Sequence, residues 1–179
     1  SQRIGDLKLL TQEEEKHILL DFNQTDKDYP KDKTIHGLFE EQVQEAPNNT
    51  AVVFEDKALT YRELNQKANQ LAHYLRKEKG IRPDDLVAIC MDRSLEMIIA
   101  ILGILKAGGA YLPIDPQYPK DRILHMLEDS KTPVLLTQYH LKDELPQNTK
   151  AHWAFLDSDW KSLVASHPST NPPNLTNPH

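Results

Sequence analysis

The sequence predicts an α/β fold: a doubly wound, mostly parallel sheet with flanking helices and a small β-hairpin ahead of it. Three observations carry that prediction. Beyond residue 85, short apolar runs alternate with helical periodicities, the order of a parallel sheet built by crossovers. The runs 86–91, 110–114 and 133–137 are largely continuous in apolar residues, as strands covered on both faces are. The segment 94–106 is apolar nearly all round, so it is predicted as a helix buried on most sides.

The elements follow in order. Thr11-Gln12-Glu13-Glu14 is a capping box, with Leu10 at the staple position. Its helix is expected to run to Asp21, with Ile18, Leu19 and Phe22 on the apolar side. Residues 23–33 are polar and irregular, a linker in composition. A second helix, 35–45, has Thr34 as its cap, Leu38, Phe39 and Val43 as its inner stripe, and Pro47 beyond its end. A hairpin follows: apolar 51–54, a turn at Glu55-Asp56-Lys57, and a return over 59–61. Thr60-Tyr61-Arg62-Glu63 is a second capping box. It opens a long helix whose Leu64, Ala68, Leu71, Ala72 and Leu75 recur at helical spacing. Gly80 stops it. After the strand 86–91 and the apolar helix, Gly108-Gly109 mark the helix end. Then come a strand at 110–114, a helix at 119–128, a strand at 133–137, a weak helix near Leu141 and a short strand at 153–156. Residues 166–179 hold four prolines and three asparagines, and read as loop or frayed terminus.

Composition bounds the function. The 179 residues are 39% hydrophobic and 27% charged, a globular composition large enough for one core. The net charge of -6 disfavours a general nucleic-acid surface, which needs an excess of lysine and arginine. A single cysteine, Cys90, excludes an internal disulfide framework and a thiolate metal cluster. A reducing, cytoplasmic compartment is expected. The most apolar stretch, 97–105, is far shorter than the roughly 20 residues of a membrane helix. The first twenty residues are charged and helical in pattern, unlike a signal peptide. Position 1 is Ser1, not methionine, and the chain is expected to be a piece of something larger.

Few residues stand out for chemistry. There is no G-x-G-x-x-G. Gly103 and Gly108 have phosphate-loop spacing, but Gly109 stands where lysine belongs, and helix packing and helix termination explain both glycines. The eight histidines (His17, His36, His73, His125, His140, His152, His167 and His179) show no metal-ligand spacing. No G-x-S-x-G elbow exists. Cys90 lies in an apolar strand and is expected to act as a small core residue. Asp92-Arg93-Ser94 and Asp115-Pro116 each follow a strand at its carboxyl end, where open α/β sheets bind ligands. The plainer alternatives are a Ser94 cap with a solvated Arg93, and a turn set by Pro113, Pro116 and Pro119. Catalytic, cofactor-binding and metal residues are therefore expected to be absent from this segment.

Two stretches carry a family resemblance. Leu59-Thr60-Tyr61-Arg62-Glu63-Leu64 is similar to the LTYxEL signature of amino-acid adenylation domains of nonribosomal peptide synthetases. Leu105-Lys106-Ala107-Gly108-Gly109-Ala110-Tyr111-Leu112-Pro113-Ile114-Asp115-Pro116 resembles their LKAGxAYxPIDP motif. Pro47-Asn48, Ala51-Val52, Tyr118-Pro119, Arg122-Ile123 and Val134-Leu135-Leu136-Thr137 agree, and the opening resembles the linker between a condensation and an adenylation domain.

The resemblance implies a parent that activates an amino acid with ATP and Mg2+ as an aminoacyl adenylate. The parent then loads it onto the phosphopantetheine of a carrier protein. It also implies that the phosphate loop, the aspartate that holds the substrate amine and the mobile C-terminal lysine lie later in the family's sequence, and that both motifs present here are structural. Residues 1–33 then correspond to interdomain linker, 34–165 to the N-terminal part of the AMP-binding domain, and 166–179 to a tail leading towards the absent phosphate loop. Expected partners are the rest of the adenylation domain, neighbouring condensation and carrier domains, and a small MbtH-like helper, with no nucleic acid and no membrane. The rival readings are a non-catalytic docking module derived from such a domain and a piece of an acyl-CoA synthetase. Because the family covers the apolar 94–106 helix with later strands and helices, the segment is expected to expose a large apolar surface.

Overall fold

The computed structural model describes residues 9–177. The chain divides into two compact units, Ser1–Lys31 and Asp32–His179.

In the first unit the Thr11 box forms as the sequence requires. Thr11 Oγ1 accepts from Glu14 N at 3.2 Å, and the Glu14 carboxylate accepts from Thr11 N at 2.8 Å. Helix α1 (Gln12–Lys16) continues as a π-helical segment, His17–Asp21. Asn23 Nδ2 then donates to the carbonyls of Ile18 and Leu19, closing the end. The expected apolar side is present but uncovered: Ile18, Leu19 and Phe22 are all exposed.

The second unit begins with α2 (Ile35–Glu45), capped by Thr34. Strands β1 (Thr50–Phe54) and β2 (Lys57–Thr60) pair antiparallel around Glu55-Asp56, with Glu55 at φ 53°. The turn is thus one residue shorter than the sequence suggested, because Lys57 already pairs with Phe54. The second capping box opens α3 (Tyr61–Lys79), and Gly80 ends it at φ 67°. The chain continues through β3 (Leu86–Cys90), α4 (Leu95–Ala107), β4 (Ala110–Ile114), α5 (Lys120–Asp129), β5 (Val134–Thr137) and β6 (His152–Phe155). A short 3-10 turn, Tyr139–Leu141, and a π-helical turn, Trp160–Val164, complete the order. The second of these has no counterpart in the sequence reading.

The four long-range strands form one parallel sheet in the order β4-β3-β5-β6. From β3 the chain steps outward to β4, then returns past β3 to β5. With right-handed crossovers this reversal puts α4 and α5 on opposite faces, the doubly wound arrangement. Val87, Ala88, Val134, Leu135 and Leu136 are accordingly fully buried.

The helical layer is set by α3 against α4. Leu64, Ala68, Leu71, Ala72 and Leu75 are buried on α3, and Ile99, Ala100, Gly103, Ile104 and Ala107 on α4. A Cβ at Gly103 would stand 2.7 Å from Leu71 Cδ2, so this glycine allows the approach of the two helices. Gly108 ends α4 at φ 93°, a left-handed conformation that costs glycine nothing. Gly109 has a different reason: a Cβ there would lie 2.9 Å from the Asp85 carbonyl oxygen.

Two expectations are corrected. The α4 helix is not left bare: Leu95, Ile99, Leu102, Ile104 and Ala107 are buried within this chain, because α3 already covers the outer side. On α2 the buried residue is His36, at 6% exposure, whereas Leu38 is 37% exposed. The inward row is His36, Phe39, Glu40 and Val43 at spacings of three and four, and Leu38 lies off it. Of the two readings of the tail, residues 166–177 follow the loop and not the frayed end: Asn69, His73 and Arg76 of α3 hydrogen-bond their backbone, Gln70 bonds the Ala165 carbonyl just before them, and Pro172 is buried.

His36 lies between Thr34 Oγ1 and Asn174 Oδ1, each 3.2 Å from Nε2. Burial, the largest influence, pushes its pKa below the usual histidine value, against the raising effect of the Asn174 hydrogen bond. The unfolded chain therefore binds the extra proton more readily, and this group withdraws stability as pH falls through the unfolded value near 6.5. Melting curves between about pH 7.5 and about pH 5.5, either side of the ordinary histidine pKa, are expected to show a falling Tm, with a flatter dependence in His36→Asn. An equally steep fall in the variant would assign the effect elsewhere. The glycines give a second measurement. Gly103→Val is expected to cost about 1–3 kcal/mol by overpacking Leu71, and Gly108→Val about 1–3 kcal/mol by backbone strain. Gly80→Ala is also strained, at φ 67°, but is expected to cost less than either, since nothing lies within 4 Å of its added Cβ and alanine has no β-branch. Thermal melts of the three variants check the ranking.

Candidate functional site

The carboxyl edge of a doubly wound sheet is where ligands bind, and the crevice lies where strand order reverses. Here β3 ends at Cys90 and delivers Met91, Asp92 and Arg93. Strand β4 delivers Asp115 and Pro116, and β5 delivers Gln138. A cleft of about 870 Å³ opens at the ends of β3 and β4. Asp92, Arg93 and Asp115 line it with Phe54 of the hairpin, Met91, Met97 and Tyr118. The two loops singled out from the sequence thus meet in one place.

Local chemistry explains how most of these side chains are held. Ser94 Oγ accepts from Met97 N at 3.2 Å and caps α4. Asp115 Oδ1 accepts from Gln117 N at 2.9 Å, a turn of the Asx kind. Both plainer readings of those residues hold. Arg122 lies over the Tyr118 ring, 3.9 Å from its centroid.

At the reversal point between β3 and β5 the two following loops are stapled. Asp92 N donates to Gln138 Oε1 at 2.8 Å, and His140 Nε2 lies 2.8 Å from Asp92 Oδ2. Both partners of the second contact are more than half exposed, so it fixes loop geometry more than it adds stability. Sequence reasoning missed the pairing of His140 with Asp92. The signal was their common position just beyond two parallel strands, and it becomes usable only once β3 and β5 are known to be neighbours.

The remaining candidates do not assemble. Burial, helped by Asp115 and Asp92, pushes the Cys90 thiol up to about 12, so it stays protonated and inert. Gly103 packs on Leu71 and Gly108 ends a helix, so neither belongs to a phosphate cradle. His17 pairs with Asp21, His73 with the Thr170 carbonyl, and the His167 ring meets Tyr74. His179 lies outside the described residues. Among the described residues no group of three or more histidine, cysteine, aspartate or glutamate side chains could hold a metal ion. No described helix is long and apolar enough to cross a membrane. The cleft offers two carboxylates, one guanidinium and an apolar wall.

The family model described as AMP-binding enzyme matches residues 39–174. Gramicidin S synthase 2 of Brevibacillus brevis is 54% identical over 138 residues, which is 77% of this chain and 3% of that protein. Bacitracin synthase 2 of Bacillus licheniformis is 56% identical over 142 residues, 79% of this chain and 5% of that protein. Among solved structures, the nonribosomal peptide synthetase FmoA3 superposes with a TM-score of 0.78 at 32% identity, covering 88% of this chain and 16% of that one. The chain thus spans only a small part of the relatives it matches. With the fold, the hairpin and the two motifs all in register with such a match, the chain belongs to the AMP-binding enzyme family.

Proposed function

We propose that this chain is the N-terminal segment of an amino-acid-activating adenylation domain in a nonribosomal peptide synthetase. The observation that carries the reading is the identity of 47–50% to three linear gramicidin synthase proteins of Brevibacillus parabrevis over 95–99% of this chain. The FmoA3 structures with AMPPNP and with α-methyl-L-serine-AMP support a nucleotide-using parent. In this reading residues 1–33 are interdomain linker, 34–165 the start of the AMP-binding domain, and 166–179 the approach to a phosphate loop. The parent would use ATP with Mg2+ in the cytoplasm and pass its aminoacyl group to phosphopantetheine on a carrier domain. A condensation domain and an MbtH-like helper are the further partners.

In this reading the groups that hold the nucleotide and its metal lie later in the domain, while Gly103 serves helix packing and Gly80 and Gly108 end helices. What the segment supplies is the buried sheet, the covered α4 and a carboxyl edge whose loops are locked by Asp92, Gln138 and Asp115. Stabilisation of the charge that develops during adenylyl transfer needs preorganised groups, and these belong to the rest of the domain.

Exchange of labelled pyrophosphate into ATP, screened over amino acids, tests the reading. The parent protein is expected to exchange with one amino acid or a small set, and the 179-residue chain alone with none. Thioester formation from a fatty acid and coenzyme A, without amino-acid-dependent exchange, would move the parent to the acyl-CoA synthetases. A parent inactive in both assays would overturn the assignment as an activating enzyme.

A further inference from the structure

The segment 165–177 has no regular structure, yet a row of donors on α3 holds it. Asn69 Nδ2 donates to Ser169 O and to Asn171 Oδ1, both at 2.8 Å. Asn65 Nδ2 reaches the same Asn171 oxygen at 2.9 Å. Gln70 Nε2 donates to Ala165 O at 2.8 Å, and His73 Nε2 donates to Thr170 O at 3.0 Å. Arg76 ends the row with two roles. Its Nε and Nη2 donate to the carbonyls of Ala107 and Lys106, the orphan acceptors at the end of α4. Its Nη1 donates to Pro173 O at 2.9 Å. One guanidinium therefore caps a helix and pins the segment.

Beside that row lies a buried ammonium. The Lys106 side chain is fully buried, and its Nζ pairs with the Glu40 carboxylate of α2. The Phe39 ring centroid is 5.9 Å away, and Asn171 Oδ1 lies at 3.5 Å. Asn171 Oδ1 thus faces three donors, from Asn65, Asn69 and Lys106. A buried charge is tolerated only when it is paired and its hydrogen bonds are met. Glu40 supplies the pairing, and Asn171 adds an acceptor and cover that only the closed segment provides.

We propose that residues 165–177 form a strap with Asn171 as its clasp, and that closing the strap over α3 and burying the Lys106 ammonium are one coupled event. Opening the strap removes an acceptor from the ammonium and readmits water to it. Pairing Lys106 differently, or removing its charge, weakens the clasp in return, because coupling of this kind is reciprocal. The strap also approaches the end of α4: the Thr176 methyl lies 3.6 Å from where a Cβ on Gly108 would stand. This inference is independent of the activity proposed above, since every contact in it lies within the chain.

Two readouts on the 179-residue chain test the coupling: cleavage within residues 165–177 by a non-specific protease, which needs the segment to leave the α3 donors that hold its carbonyls, and acylation of Lys106 by an amine-reactive ester, with exposed Lys57 as the internal standard. In Asn171→Ala both are expected to rise together, each about tenfold, while amide hydrogen exchange over residues 68–75 is unchanged. Asn171→Asp sets a carboxylate against three donors, and both readouts are expected to slow by about threefold. The second variant keeps the test open if the first lowers the folded population. Strap cleavage that rises in Asn171→Ala while Lys106 acylation stays at the wild-type rate would uncouple the two events and overturn the proposal. So would faster cleavage and acylation in Asn171→Asp.

Discussion

The close approach of α3 to α4 governs much of this fold. Gly103 leaves no side chain where Leu71 must sit, and Ala68, Ala72 and Ala100 are small and fully buried near the same interface. With α3 pressed onto α4, the apolar helix behind β3 is covered on its outer side, and the sheet gains a complete layer on that face. The same placement sets a second row of α3, one position around the helix, against the returning chain: Asn65, Asn69, His73 and Arg76, with Asn69 fully buried. That row is polar and holds the returning chain. A bulkier residue at 103 would therefore disturb two layers, since the helix that closes the core also carries the anchor points of residues 165–177.

Strand order makes the carboxyl edge what it is. Because the chain reverses between β4 and β5, the loops after β3 and β5 become neighbours, and Asp92 meets Gln138 and His140 there. The cleft beside this staple is lined by carboxylates, a guanidinium and apolar side chains: Asp115 accepts from Gln117 N, Asp92 meets His140, and Arg93 is exposed.

The amino-acid sequence by itself determined what depends on near neighbours along the chain. Both capping boxes, the Thr34 and Ser94 caps, the stops at Gly80 and Gly108, the hairpin and the alternation of strands with helices were all legible, because capping, turn chemistry and periodicity act over three or four residues. The two family motifs were legible for the same reason, and they led to the right family. Half of the candidate site was legible too, since Asp92 and Asp115 could be placed at strand ends without knowing which strands touch. Only the tertiary structure decided the rest. It chose His36 over Leu38 as the buried residue of α2, because the direction of a helix face depends on the partner it meets. It joined Asp92 to His140 across 48 positions and Asn69 to Asn171 across 102. It also turned a proline-rich tail with little apolar content into an anchored segment, through donors on α3. Such contacts form between residues that the chain must first bring together, and no local pattern in either partner records the meeting.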